Sequence, residues 1–374
     1  MKLPAFLLLC AMSVLVRAQT LPQAPPIAAK SWLLLDHATG QVLAAHDPDA
    51  RVEPASLTKL MTVYVALAAM KEGRLEPARE VPVSERAWRA PGSRMFIEPG
   101  RPVTVDELLR GLIVQSGNDA GIALAEAVAG TEEAYAELMN REAQRLGLTG
   151  TRFANATGLP DPQHYSTARD LGALAAALIR DHPKHYALYA LREYTYNRIT
   201  QANRNRLLWL DPAVDGVKTG HTESAGYCLI ASARRGPRRL LSVVMGAASD
   251  GMRTQESQKL LNFGFQSFET VKLYAGDQEV SRLKVWKGAQ NTVRAGFPAD
   301  FILSLPKGMA DKVKADLVSR QPLMAPVLKG QQVATLQLSL DGKPYGEYPV
   351  LALETVPLAG MIGRAWDTFK LWFE

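Results

Sequence analysis

Pro54-Ala55-Ser56-Leu57-Thr58-Lys59-Leu60-Met61-Thr62 sets a serine at the opening of a helical run, 60–70, and a lysine three residues further on. One helical turn separates Ser56 from Lys59, so hydroxyl and amine lie on one face and can meet. The N–H of Ser56, at a helix start and without an intrahelical partner, is aimed at a developing oxyanion. A serine–lysine pair is one setting in which an alcohol becomes a nucleophile. Another is missing, because none of the 17 serines has a glycine two positions before it and G-x-S-x-G is therefore absent. Alone, the tetrapeptide is weak: 17 serines and 16 lysines give about 0.7 S-x-x-K by chance, and the chain has three. The others, Ser281 to Lys284 and Ser304 to Lys307, fall in a β-type region, and Pro306 opposes a helix there.

Outward from this stretch, 31–45 alternates apolar residues around His37-Ala38-Thr39-Gly40, which predicts a β-hairpin. Helices are expected over 60–70, 105–114, 120–128, 132–146 and 168–179, and β-type composition returns at 227–232 and 240–246. Helices bracketed by strands must close one sheet, so an α/β (α+β) sandwich follows, with its first and last strands near each other. Arg234, Arg235, Arg238 and Arg239 around Gly236-Pro237 read as a charged hairpin tip. Beyond Phe268 short alternating runs, with an Asp341-Gly342 turn between 335–340 and 348–353, predict a small β-rich domain over 269–356 after a catalytic domain over 19–268.

Both ends have their own character. Lys2, an apolar run over 6–16 and Val16-Arg17-Ala18 before Gln19 have the layout of a secretory leader, taken as 1–18. Over 357–374, Leu358, Met361, Ile362, Ala365, Trp366, Phe369, Trp372 and Phe373 line one helical face. With Arg364, Asp367 and Lys370 opposite, such a helix lies in a membrane surface more readily than it crosses one.

Composition narrows the chemistry. With 47% hydrophobic and 21% charged residues the 374-residue chain is globular, and loss of Lys2 and Arg17 with the leader lowers its formal charge from +6 to +4, too little and too dispersed for nucleic acid. Cys10 lies in the leader, so Cys228 alone remains and no internal disulfide is expected; the six histidines show no H-E-x-x-H, and neither metal nor cofactor is expected.

Two further motifs accompany Ser56. Ser116-Gly117-Asn118 ends the second helix at a glycine break, exposing a hydroxyl and an amide, and Lys218-Thr219-Gly220 precedes the 227–232 strand, where a cation, a hydroxyl and bare backbone can receive a carboxylate-bearing chain. Taken singly they are a helix C-cap and a turn. In order, S-x-x-K, S-x-N and K-T-G resemble the penicillin-recognising serine acyltransferases. The neighbourhoods Ser116-Gly117-Asn118-Asp119-Ala120 and Asp215-Gly216-Val217-Lys218-Thr219-Gly220-His221-Thr222, with the run from Gln255-Glu256-Ser257 to Phe265, are similar to the low-molecular-mass D-alanyl-D-alanine carboxypeptidases. That family also has a leader, a β-rich second domain and an amphipathic C-terminal anchor.

The resemblance implies that Ser56 attacks the penultimate D-alanine carbonyl of a peptidoglycan pentapeptide stem and that Lys59, as free amine, takes its proton. Burial and the cation Lys218 would both lower the Lys59 pKa. It implies further that Ser116 and Asn118 complete the relay and hold the substrate amide. Lys218 and Thr219 would receive the carboxylate, and the backbone N–H groups of Ser56 and His221 would hold the oxyanion, with Gly220 allowing close approach. Arg204, in Asn203-Arg204-Asn205, resembles a position near that carboxylate, and it reads equally as a surface arginine; Asp170 reads as a helix cap and is left out. β-Lactams would be covalent inhibitors, and the protein would be exported and held on the periplasmic side of the bacterial inner membrane. A β-lactamase fits less well, since E-x-x-L-N is matched only by Glu137-Leu138-Met139-Asn140, one residue short. A cross-link endopeptidase would need the same residues, and a dead wall-binding scaffold would not need them intact.

Overall fold

The computed structural model describes residues 22–319 and 321–370. The expected leader, 1–18, and the last positions of the expected amphipathic helix, Leu371, Trp372, Phe373 and Glu374, lie outside the described residues.

The central sheet runs Val42–His46, Ser31–Asp36, Arg238–Ala247, Gly226–Arg235, Val214–Thr222, every neighbour antiparallel. The first strand pairs with the last, with Trp32 opposite Val244 and Leu34 opposite Ser242. Side chains alternate between the two faces. Leu33, Leu35, Ile230 and Val243 join the core formed with the helices Lys59–Lys71, Asn118–Ala129, Glu132–Arg145 and Ala168–Asp181. Trp32, Leu34, Leu229 and Val244 face the other way, against Leu260 and Leu261 of the helix Asp250–Ser267. A sheet between two helical layers results, as expected for the α/β sandwich.

The helix Lys59–Lys71 is buried on almost every side, which its lack of a polar face requires. The second helix departs from expectation at its end. Thr104 and Glu107 cap Val105–Arg110 reciprocally, but the chain then widens into a π turn, Gly111–Gln115, and stops at Ser116 with φ 60°. The arginine run forms the expected hairpin tip, with Arg235 opposite Arg238, and two of its members are paired besides: Arg238 with the fully buried Asp36 at 3.0 Å and Arg239 with Asp215 at 2.7 Å.

From Phe268 the chain is mostly β. Phe268–Tyr274 pairs with Phe301–Pro306, and a six-stranded sheet runs Val313–Ser319, Gln332–Leu340, Lys343–Ala352, Thr292–Gly296, Glu279–Trp286, Leu323–Met324. It encloses its own core around Val285, Val293, Leu336 and Val350. Asp341 and Gly342, both at positive φ, make the tight turn between two of its strands. Asp36 ties this region to the central sheet, accepting from Ser304 Oγ at 2.8 Å as well as from Arg238.

The helix Met361–Lys370 ends the described chain, with Met361 81% and Ile362 89% exposed and Trp366 and Phe369 over half exposed. Its Asp367 accepts from the backbone N–H of Lys287 at 2.6 Å, while Trp366 and Phe369 line a cavity shared with Val285 and Trp286 of the β region and Met361 and Ile362 are left outward. Among the described residues no helix is long and apolar enough to cross a membrane.

Candidate active site

Ser56 sits in a one-turn 3-10 helix, Ala55–Thr58, that feeds the buried helix Lys59–Lys71. The turn is gripped from two sides. Gly220, on the sheet's edge strand, packs so closely that a Cβ there would lie 3.1 Å from Pro54 O and 3.3 Å from Ala55 Cβ. Gly158, at φ +81°, leaves no room at all, because its Cβ would fall 1.8 Å from Ala55 O.

Behind Ser56, Lys59 is 1% exposed, and its Nζ lies 2.8 Å from Ser56 Oγ and donates to Thr157 O at 2.5 Å. Burial, and then repulsion by Arg204, push the Lys59 pKa down to about 7, against a partial upward pull from Asp119 and Glu132. Arg204 is therefore a further cation acting on this amine, beside the mutual Lys59–Lys218 repulsion that the sequence suggested and that also lowers Lys218. A lysine poised near neutrality, in contact with a hydroxyl, can take a proton from it.

On the opposite wall, Lys218 is 3% exposed and donates to Ser116 Oγ at 2.9 Å and to Thr219 O at 3.0 Å. Its pKa too is held well below the usual lysine range, by burial first and then by Lys59, Arg204 and Arg253. Lys218, Thr219, Gly220 and His221 follow one another on the edge strand Val214–Thr222, and the His221 ring packs on Tyr227 at 4.1 Å. Asn118 is 6% exposed, its side-chain amide donating to Pro91 O at 2.6 Å and its backbone N–H to Ser93 O at 2.7 Å.

Ser56, Ser116, Thr219, Gly220, His221 and Arg204 line one cleft of about 680 Å³. Lys59, Asn118 and Lys218 stand just behind its surface. Arg206 and Arg253 line it as well, both paired with Asp250, and Arg253 also donates to Gly220 O at 3.0 Å. With three arginines against one aspartate at its surface, the cleft suits an anionic ligand end. The sequence reading missed Arg253, although the quoted run beginning at Gln255 stops two residues short of it. It placed Glu137 rightly outside: that side chain is exposed, and Asn140 instead binds the Phe153 backbone. Asp170 does not cap its helix; Thr167 does, and Asp170 accepts from Gly150 N and Thr151 Oγ1. Among the described residues no group of histidine, cysteine and acidic side chains could hold a metal ion.

His164 braces the turn that carries Ser56, through its neighbour Thr58. Its Nδ1 accepts from Ala154 N at 3.2 Å, so the ring is neutral with its proton on Nε2, which donates to Thr58 Oγ1 at 2.8 Å. Burial lowers its pKa from 6.5 to about 4. Between those values the unfolded chain takes up a proton that the folded ring refuses, so stability present above pH 6.5 is lost on acidification, by up to about 3 kcal/mol near pH 4. Urea midpoints measured over this range should fall for the wild type and fall less for His164→Gln.

Known proteins resemble the chain over nearly its whole length. Residues 18–249 match the family model described as D-alanyl-D-alanine carboxypeptidase, and residues 268–358 match that of the penicillin-binding protein 5 C-terminal domain. The chain is 44% identical to the D-alanyl-D-alanine carboxypeptidase DacC of Escherichia coli, over 99% of this chain and 95% of the relative. It is 41% identical to the DacA enzyme of Haemophilus influenzae, over 99% of this chain and 96% of the relative. The crystal structure of penicillin binding protein 5 from Haemophilus influenzae superposes with a TM-score of 0.85 at 41% identity, covering 90% of this chain and 99% of that one.

Proposed function

The chain belongs to the D-alanyl-D-alanine carboxypeptidase family and is a serine-type hydrolase of that kind, and from this premise we propose that it trims the terminal D-alanine from peptidoglycan pentapeptide stems through an acyl-enzyme on Ser56. Ser56 Oγ attacks the carbonyl of the penultimate D-alanine while Lys59 Nζ takes the hydroxyl proton. The C–N bond to the last residue breaks, and its amine leaves with a proton relayed through Ser116, which Lys218 contacts. Water then hydrolyses the ester, with the proton returning through Lys59.

The terminal carboxylate docks on Thr219, Lys218 and Arg204, with Arg253 bracing the strand that carries the first two. Its arrival restores to Lys218 the positive charge that burial disfavours. The oxyanion sits between the backbone N–H groups of Ser56 and His221; Val214–Thr222 is the sheet's edge, where alternate N–H groups have no strand partner. Asn118 aligns the substrate amide, and Gly220 lets the peptide lie along the strand.

The observation that carries this mechanism is the buried Lys59 amine, poised near pH 7 and 2.8 Å from a cleft-lining hydroxyl. Purified protein given a pentapeptide ending in D-Ala-D-Ala should release free D-alanine, and penicillin should leave one adduct on Ser56 that deacylates slowly. No D-alanine released and no label on Ser56 would leave only the scaffold reading. Rapid penicillin turnover, well above ~1 per second, would make the protein a β-lactamase instead.

We place catalysis in 19–268, assign 1–18 as an export leader, and take 269–356 as a β-rich spacer below the cleft. The segment 357–374, with the helix Met361–Lys370 inside it, would hold the enzyme peripherally on the periplasmic face of the inner membrane, its exposed Met361 and Ile362 and half-exposed Trp366 and Phe369 entering the lipid interface. Deleting 357–374 should free the protein from membranes and leave hydrolysis of a soluble peptide within about 2-fold. Unchanged membrane recovery would show that this helix is no anchor.

A further inference from the structure

Next to Asn118 lies a buried carboxylate that the mechanism does not use. Asp119 is fully buried and forms no ion pair among the described residues. An acidic residue in the first turn of a helix ordinarily serves its own helix, and Asp119 does accept from Ala120 N at 2.9 Å. Its other partners come from a distant segment: Met95 N at 2.9 Å, Phe96 N at 2.8 Å and Ile97 N at 3.3 Å. Four peptide N–H groups thus replace a counter-ion, which is the condition on which a charge is tolerated away from water.

The segment so gripped, 91–97, is one wall of the cleft, where Gly92 and Ser93 face the nucleophile's side. It holds a costly backbone: Phe96, 37% exposed and with the Arg94 guanidinium 5.3 Å from its ring centre, sits in the left-handed region at φ 67°. The same segment wraps Asn118, through Pro91 O and Ser93 O, and Gly92 lies against the Asn118 amide, since a Cβ there would be 3.0 Å from Nδ2. From outside, Gln201 Nε2 donates to Arg94 O at 3.0 Å.

We propose that Asp119 is a positioning residue for the carboxypeptidase reaction: by gathering the Met95, Phe96 and Ile97 amides it locks the 91–97 wall around Asn118 and so fixes the Ser116-Gly117-Asn118 element against Ser56 and Lys218. It touches no substrate and acts through Asn118 and Ser116. This rests on the proposed roles of those two residues. Because a misplacement of about 1 Å in such a group costs about 10²-fold, release of the wall should appear in kcat more than in KM.

Asp119→Asn tests this at nearly constant volume, since it sets an NH₂ against one pair of the N–H donors. The expected result is a kcat for D-alanine release lower by about 30- to 100-fold, with KM within about 3-fold. Hydrogen exchange at Met95, Phe96 and Ile97 should accelerate, while the central strands keep their protection. The rising limb of the pH profile near 7 should move down by well under a unit, since Asp119 is only a lesser upward pull on Lys59. A shift of that limb by a unit would assign the effect to the Asp119 charge acting on Lys59 and overturn the proposal. So would an unchanged kcat, a loss confined to KM, or a kcat loss without faster exchange at 95–97.

Should Asp119→Asn fail to fold, Gln201→Ala loosens the same wall from outside at a partly exposed position. Faster exchange at 95–97 and a kcat lower by about 3- to 10-fold are then expected, and faster exchange with unaltered kcat overturns the proposal. Wild-type protein labelled by penicillin at Ser56 serves as control; if that label is absent, the proposed function fails independently of Asp119.

Discussion

Ser56→Ala is expected to lower D-alanine release by at least about 10⁴-fold and to abolish the penicillin adduct, with little change in melting temperature. Among the described residues the side chain has one hydrogen-bond partner, Lys59 Nζ, and it lines the open cleft, so its removal leaves no packing defect. What vanishes is the acyl carrier, and with it both partial reactions. D-alanine release is followed by a coupled oxidase assay, and the adduct by intact mass. Full activity in the alanine variant would sink the assignment of the nucleophile and the covalent route together.

Lys59→Met is expected to cost about 10³- to 10⁴-fold in kcat, near the upper range for loss of a general base, while Ser56 and the cleft keep their shape. The sign of the pH dependence follows from which form works. Only the uncharged amine accepts the hydroxyl proton, so acylation should rise as pH increases through about 7, where Lys59 loses its charge, and level off above it. Burial is the first cause of that low value and Arg204 the second, so Arg204→Gln should move the rising limb upward as well as weaken carboxylate binding. A rate independent of pH between 6 and 8, measured as stopped-flow acylation by a chromogenic β-lactam, would exclude Lys59 as the titrating base.

The fold was legible where local pattern and chain order agreed. Helices enclosed by two stretches of β composition left the first and last strands little choice but to pair, and Asp341-Gly342 announced its turn through the backbone it permits. At the site, the short spacings were readable: Ser56 to Lys59 is one turn, and Lys218 to His221 is one strand. What escaped was everything bound across long sequence separation. Lys59 meets Thr157 O 98 residues on, Thr58 meets His164 after 106, and Arg253 reaches back to Gly220 over 33. No periodicity encodes such contacts, because they depend on where loops pass after the sheet has closed. The partner of Arg238 escaped for the same reason, since Asp36, on the neighbouring strand of the sheet, lies 202 residues earlier in the chain. The π turn before Ser116 likewise has no signature in composition.

Lys59 and Lys218 are both almost fully buried, and their neighbours are also cationic. An apolar residue at either position would relieve that repulsion and leave a sturdier, idle protein. Robustness and turnover thus pull this groove in opposite directions, and a thermostability screen run without a turnover assay would enrich variants that have stopped working.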